Sequence, residues 1–400
     1  MSPRPLLQRV VIQNYKSIAF CDVSLGPLNI LVGLNGSGKS NFVDALRFCR
    51  DGLRRGLEQA FRERDSNLRL LSHIPRQGEL GFGVRFEILL ADGRSAHYSF
   101  SLRQLAPRGF AVSREECGIV SSNGDPPVTF SVDSGQVQTS FGGTPALSDG
   151  QLYLAHAAGF REMRPVFDAL ADLEFYDPEP RKLKRVLDPS RNSDVLTSDG
   201  ANAASMLLRI NDEDPEAVLR IQEYMRQVLP GLRSIESETF ELTHSRLRFF
   251  ENGRDTVGLN TSAMSDGTLR ALAILIALFQ RRPNSAVPSL VAIEEPETGI
   301  HPAAVGILLY SMIERSNFVQ VLVTSHSADI LDHKDLPLDA ILSVEMAAGE
   351  TRIGRPDAAS RSILKKRLFT AGELLRMDNL HPEATNPERA NDPSLVFDKA

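Results

Sequence analysis

Cysteine is scarce in this 400-residue chain, and the three present, Cys21, Cys49 and Cys117, form no C-x-x-C pair. An odd, unpaired set argues against a disulfide framework and for a reducing cytosol. Long apolar runs are lacking too. The longest, Leu269 to Phe279, is too short to span a bilayer. Met1 to Gln8 contains proline and no apolar core of the kind secretion requires. There is no internal repeat and no sustained heptad pattern. Positive charge is not in excess: the net charge of −6 does not suggest a globally basic nucleic-acid binder, and leaves only local patches open. These absences imply a cytoplasmic chain with no membrane partner. Apolar residues at 42% suffice for a sizeable core, either one large α/β domain with an insertion or two domains.

What is present is a phosphate-binding loop. Gly33-Leu34-Asn35-Gly36-Ser37-Gly38-Lys39-Ser40 matches G-x-x-x-x-G-K-[ST] at every fixed position, directly after the apolar run Leu28 to Val32. Glycines let the backbone turn tightly and bring its N–H groups against phosphate oxygens. Lys39 can reach the β- and γ-phosphates, and the Ser40 hydroxyl can ligate magnesium. A helix starting here, through Asn41, adds its N-terminal partial charge beneath the phosphates. The loop implies ATP and Mg2+ as ligands. Asn35, Gly36, Ser37, Gly38, Lys39, Ser40 and Asn41 are the candidate binding residues.

Around this loop the pattern predicts strands at Val10 to Tyr15 and Leu28 to Val32, flanking a loop that carries Lys16 and Ser17. An arginine-rich helix is expected from Asn41 to about Arg64. Phe82 to Leu89 and His97 to Leu102 alternate about the Asp92-Gly93 turn as a β-hairpin. Small strands and loose turns are expected between Ser121 and Gly150. A mostly helical stretch should follow from Gln151 to Gly231, broken at Asp177-Pro178-Glu179-Pro180 and Asp188-Pro189. Strands return at Glu241 to Thr243 and Leu247 to Phe250. Thereafter helix from Asp266, strand Leu290 to Ile293, helix Ala303 to Arg315 and strand Phe318 to Val323 alternate, which implies a mostly parallel sheet. The resulting division is an ATPase-core segment 1–75, an antiparallel β subdomain 76–150, a helical insertion 151–235, a second core segment 236–385 and a flexible tail 386–400.

Three later motifs narrow the class. Ser289 to Glu297 is an apolar strand ending in consecutive carboxylates, Glu294 and Glu295. A buried parallel strand delivers its C-terminal residues to the ligand edge of the sheet. Glu294 is placed to hold magnesium through water, and Glu295 to polarise the attacking water as general base. In isolation the same string could be a strand and a solvated acidic turn. Val321 to Ser327 is a second apolar strand, ending at His326, whose imidazole could hydrogen-bond the γ-phosphate or the attacking water. Met264-Ser265-Asp266-Gly267-Thr268-Leu269-Arg270 leads into an apolar helix. Ser265 can cap that helix, and a glycine at 267, costly within a first turn, leaves backbone N–H groups uncovered for an anion.

The order of these motifs resembles the ABC-type ATPase heads, within the branch related to RecF, to structural-maintenance-of-chromosomes (SMC) heads and to OLD-family ATPases. Asn14-Tyr15-Lys16-Ser17-Ile18, Leu196 to Asn202, Thr298-Gly299-Ile300-His301-Pro302 and Gly372-Glu373-Leu374-Leu375 support it, over roughly residues 8 to 380. The resemblance implies a P-loop NTPase of α/β class with a mostly parallel core sheet, an antiparallel β subdomain and a helical insertion. It implies that Lys39 and Ser40 hold phosphate and magnesium, with Lys16 nearby as a further binding candidate. Glu294 would be the magnesium-side carboxylate, Glu295 the base and His326 the switch histidine. Ser265 and Gly267 would contact the γ-phosphate held by a second copy of the chain, making an ATP-gated homodimer. Glutamate at 294 departs from the aspartate usual in transporter cassettes. Gln77, before the hairpin, is the candidate for the family's Q-loop glutamine, but its setting reads more readily as a solvent-exposed loop glutamine.

Such ATPases act on DNA or on partner proteins. Arg47 to Arg76 carries eight arginines against four acids, and Arg181 to Arg185 and Lys365 to Arg367 are smaller clusters. The leading expectation is DNA maintenance or anti-phage defence beside a separate nuclease or effector. The alternative is an ATP-dependent switch on a protein partner without DNA contact. A transporter subunit fits poorly with the Glu-Glu-Pro-Glu and Thr-Ser-His-Ser strings. About seventy residues after His326 are few for a fused nuclease.

Overall fold

The computed structural model describes all residues except 1–3, 74–79, 106–108, 121–125, 144–149, 186–193, 241–243, 254–257, 282–286, 385–395 and 398–400. The chain forms two compact units. One comprises 1–173, 338–369 and 374–400; the other comprises 174–337 with 370–373.

The first unit opens with β1 (Leu6–Tyr15) and β2 (Ile18–Ser24), an antiparallel pair joined by Lys16-Ser17. Asn14 (φ 58°) and Lys16 (φ 48°) take left-handed backbone to make that tight turn. β2 was not anticipated, because Ile18 to Ser24 reads as a loop when the turn is only two residues long. β3 (Leu28–Val32) is buried at all five positions. The phosphate loop then leads into α1 (Lys39–Arg55) and α2 (Leu57–Arg62). The single helix expected to Arg64 is therefore broken, and Gly56 at φ 84° is the reason. After α3 (Leu68–Leu71) come β4 (Gly81–Leu89) and β5 (Ser95–Gln104), the anticipated hairpin. β6 (Phe110–Val120), β7 (Val128–Asp133) and β8 (Gln136–Thr139) extend it. These strands form one antiparallel sheet in the order β2-β1-β4-β5-β6-β7-β8. The boundary expected at residue 75 thus cuts through a sheet, since β1 and β2 pair with the β subdomain rather than with the core. α4 (Tyr153–Ala157) and α5 (Arg164–Ala171) close this stretch.

In the second unit, β9 (Leu173–Tyr176) begins where a helical region was expected; its LEFY string is fully buried. α6 (Pro180–Leu183), α7 (Ala203–Glu213) and α8 (Pro215–Val228) follow. β10 (Leu232–Phe240), β11 (His244–Glu251) and β12 (Leu259–Asn260) form a small sheet. The strand expected at Glu241 to Thr243 lies outside the described residues, and the strand paired with β11 is β10. α9 (Asp266–Phe279) is buried at every position from Thr268 onward, so it is a core helix without a polar face. β13 (Leu290–Glu294), α10 (Pro302–Arg315), β14 (Gln320–Ser325) and α11 (Ala328–Leu331) complete the unit. β13 and β14 run parallel, as their near-continuous apolar content implies.

The chain then returns to the first unit with β15 (Ile341–Ala347), which pairs parallel to β3 and antiparallel to β16 (Glu350–Gly354). α12 (Ala358–Lys365) and α13 (Ala371–Arg376) end the regular structure. The flexible tail expected from residue 386 needs one correction. Val396 and Phe397 are buried with Val11 and Phe20, and Arg114 lies over the Phe397 ring at 4.7 Å. An apolar pair of this kind gains more from burial than its ordering costs.

One buried carboxylate ties the antiparallel sheet to α4. Glu115 on β6 accepts from the backbone N–H of Tyr153 (2.6 Å) and Leu154 (2.8 Å) and from the Tyr98 hydroxyl (2.9 Å). Burial pushes its carboxyl up to about 7, against these three donors, which favour the anion. The folded chain therefore holds this proton over a range where the unfolded chain has released it. Glu115 contributes full stability below about pH 4.5, and that contribution is lost as pH rises through about 7, a change of roughly 3 kcal/mol. Unfolding measured across this range should show wild type losing stability relative to a Glu115→Gln chain. Parallel pH profiles for the two chains would contradict the assignment.

Candidate functional site

The phosphate loop leaves β3 with steric demands that only glycine meets. A Cβ on Gly33 would lie 2.0 Å from the Val344 carbonyl oxygen, and one on Gly38 would lie 1.9 Å from Thr351 Oγ1. Gly36 (φ 78°) and Gly38 (φ 101°) are both left-handed, a backbone that turns successive N–H groups inward as an anion nest. α1 starts with no side-chain cap and no acidic residue in its first turn, so its terminal N–H groups and dipole face outward to a ligand. Ser40 is exposed there. Lys39 is buried and folds back to donate to the carbonyls of Gly33 (2.9 Å) and Leu34 (3.0 Å). Its partners given by these bonds are neutral, so a phosphate offers the cation a stronger acceptor. The Ser37 hydroxyl is buried and unpartnered.

A chain of hydroxyls braces the loop from behind. Asn41 Nδ2 donates to Ser17 Oγ (2.6 Å), and Ser17 Oγ lies 2.7 Å from Thr351 Oγ1. Thr351 Oγ1 in turn donates to the Ser37 carbonyl (3.0 Å). Because the Thr351 proton is used on Ser37, Ser17 is the donor in the middle pair. Asn41 thus serves the brace with its side chain. Lys16, from the β1–β2 turn, pairs with Asp44 on α1 at 2.6 Å. Burial pushes the Asp44 carboxyl up, but Arg64, Lys16 and Tyr15 outweigh it and hold it below the usual carboxylate range.

The second unit carries the other motifs. Ser265 caps α9, accepting from Thr268 N at 3.1 Å, as the sequence implies. Gly267 has a local steric reason that the sequence did not show: a Cβ there would lie 2.5 Å from the Gly299 carbonyl oxygen. The first turn of α9 therefore packs directly on the segment that follows the acidic strand. Glu294 is the last residue of β13, half-buried, and Glu295 follows at φ 44°. Left-handed backbone at a non-glycine residue costs about 1–3 kcal/mol and persists where its surroundings fix it. Here Glu295 N donates to the Thr324 carbonyl at 3.0 Å.

His326, at the end of β14, sits between two carboxylates. Its Nδ1 lies 3.6 Å from Glu295 Oε1 and 3.5 Å from Glu297 Oε1. Glu297 is the nearly buried member of the pair. Its Oε1 accepts from Ser325 Oγ (2.6 Å) and from His326 N (3.1 Å), while Oε2 is buried and unpartnered. Glu297 was quoted in the sequence only as part of the Glu-Glu-Pro-Glu string; in the structure its carboxylate holds the backbone at the end of β14 and lies 3.5 Å from the His326 ring.

Ser40, at the start of α1, is a hard oxygen donor of the type a nucleotide-bound magnesium ion takes, and in the second unit the carboxylate of Glu294 is another of the same type. Among the described residues no group of three or more His, Cys, Asp or Glu could hold a metal by itself. Magnesium that draws its remaining ligands from phosphate and water needs no such cage.

A nest-forming loop after a buried strand, with a capped apolar helix and a carboxylate-ended parallel strand, corresponds to a known family. The family described as "AAA domain, putative AbiEii toxin, Type IV TA system" matches residues 28–332. The chain belongs to it. The Old nuclease of Escherichia phage P2 is 23% identical over 364 residues, covering 82% of this chain. The chain spans only 57% of the length of that nuclease. In fold it is similar to an SMC head bound to the C-winged helix domain of ScpA, with a TM-score of 0.53 at 14% identity, covering 89% of this chain and 99% of that one. An SMC head with an extended coiled coil, bound to the C-terminal domain of ScpA from Pyrococcus furiosus, gives 0.54 at 12% identity, covering 91% and 99%. The chain thus carries the AAA domain of that family in the fold of the SMC heads. Among its described residues no helix is long and apolar enough to cross a membrane. Gln77 lies outside the described residues. Of the supporting residues, Thr351 left no signal in the sequence: it stands alone on β16, more than three hundred residues from the loop it braces.

Proposed function

We propose that the chain binds ATP with Mg2+ and hydrolyses it in an ATP-gated homodimer. The preformed nest of Gly36 and Gly38 beside buried Lys39 carries this reading. Asn35 to Ser40 hold the phosphates, Ser40 and Glu294 the magnesium, Glu295 is the base and His326 the switch. Ser265 and Gly267 read the γ-phosphate of the second copy, with the α9 N-terminus as the anion-binding end. Lys16 and Asn41 act from behind the loop, through Asp44 and Ser17. The Glu295–His326–Glu297 arrangement supports the catalytic part, because the His326 ring lies 3.6 Å from the Glu295 carboxylate that would take the proton.

The task we propose is DNA maintenance or anti-phage defence beside a separate nuclease or effector, since the phage relative carries a nuclease name. A specific observation favours a second reading, a switch on a protein partner without DNA contact. Much of the arginine run is internally neutralised: Arg50 pairs with Asp51, Arg55 with Glu63, Arg62 with Glu58, and Arg64 with Asp44 and Asp51. Cations held by carboxylates release few counterions from a phosphate backbone. Duplex DNA titrated at low and at raised salt, with and without a non-hydrolysable ATP analogue, separates the two. Binding that appears with the analogue and falls steeply with salt supports the first; no binding at low salt supports the switch.

A further inference from the structure

Arg270 stands five residues after Ser265 on α9 and is 7% exposed. Its Nη1 donates to the Pro178 carbonyl at 2.6 Å. Its Nη2 donates to Asp177 Oδ1 at 2.9 Å, to the Glu294 carbonyl at 3.0 Å and to the Glu295 carbonyl at 3.1 Å. The last two acceptors are the peptide oxygens on either side of the Glu295 Cα. That residue has the left-handed φ of 44°, where glycine would be the relaxed choice. A glutamate there needs something that holds both flanking peptides. β14 supplies one restraint through Thr324, bonded to Glu295 N; Thr298 N donates to the Glu295 carbonyl at 3.0 Å, and Arg270 alone among these spans both flanking carbonyls.

We infer that Arg270 is the positioning residue of the Glu295 carboxylate, joining the first turns of α9 to the end of β13. A contact made with an anion at Ser265 then reaches the base of the same chain through one helix turn and one guanidinium. Gly267 provides a second tie in the same place, since its backbone lies against Gly299 too closely for any side chain. The acceptors are arrayed around a planar fork, so the compact ammonium of lysine cannot serve them all. The burial of a cation here is consistent with that role, because each acceptor found is a carbonyl or a carboxylate.

This inference rests on the reading of Glu295 as the base, and the experiment separates the two. Arg270→Lys and Arg270→Ala are made in the full chain, each on the wild-type and the Glu295→Gln backgrounds. ATP turnover, binding of a fluorescent ATP analogue and thermal unfolding are measured for each. The expected result is that Arg270→Lys lowers kcat at least about tenfold, with analogue affinity kept within about threefold. On the Glu295→Gln background the same substitution should cost less than about twofold, because a residue acting only through the carboxylate has nothing further to lose. Equal losses on both backgrounds, or affinity falling in step with kcat, overturn the inference while leaving the base in place. A Glu295→Gln chain that turns over normally overturns the base reading itself and the inference with it. Arg270→Lys keeps the charge and is the informative variant where the alanine chain does not fold.

Discussion

Glu295→Gln is expected to lower ATP turnover by about 10²–10⁴-fold while leaving ATP affinity within a few-fold of wild type. The substitution removes the proton acceptor and little else. The Thr298 hydroxyl lies 3.4 Å from Glu295 Oε2, and an amide oxygen can take the same contact. The backbone restraints on Glu295, from Thr324, Thr298 N and Arg270, do not involve its carboxylate. The phosphate loop and its brace through Ser17 and Thr351 are built from residues of the first unit, so ground-state binding should survive. Steady-state phosphate release measures the first quantity and equilibrium binding of an ATP analogue the second. A variant with unchanged turnover would return Glu295 to the role of a structural carboxylate. A variant that lost binding as well would place it among the residues that hold the nucleotide.

The phosphate loop and the acidic strand were legible in the sequence because each is local. Gly33 to Ser40 specifies its own loop through glycine conformation, and the strand that ends in Glu294 and Glu295 is announced by an apolar run meeting charge. α9, β13, α10 and β14 were likewise readable, since a helix apolar from Ala271 to Phe279 and two buried parallel strands have strong signatures. What stayed hidden depends on long-range partners. β2 and β9 are short strands whose residues suit a sheet only because β1 and β13 lie beside them. The break at Gly56 was open to reading, yet one glycine inside a long helical pattern is also tolerated. Thr351, Arg270 and Glu297 are ordinary residues by type. Their roles come from distances that no spacing encodes: 3.0 Å to the Ser37 carbonyl, 3.0 and 3.1 Å to the Glu294 and Glu295 carbonyls, and 3.1 Å to His326 N. The reason first given for Gly267 was incomplete for the same reason. An uncovered helix terminus is a local inference, whereas contact with Gly299 is a tertiary one.

Mixing two inactive chains should restore activity if the site is shared between copies. Lys39→Ala removes the cation from the phosphate loop, and Ser265→Arg places a long side chain at the α9 terminus. Each homodimer lacks one half of every composite site and should be inactive. In an equimolar mixture about half of the dimers pair one chain of each kind. Such a dimer has one site with both halves damaged and one with both halves intact, the loop coming from the Ser265→Arg chain. About a quarter of wild-type turnover is therefore the expected recovery when the two sites work independently. Loss of the cap must be kept apart from loss of the contact. Replacing Ser265 removes the bond to Thr268 N, worth roughly 1 kcal/mol of helix stability. A Ser265→Asn chain, which retains capping ability, serves as the control for that part. If the helix terminus reads only its own chain's nucleotide, the mixture stays as inactive as its components at every ratio. Recovery that peaks at equal proportions and vanishes toward either pure chain requires a second copy in the site.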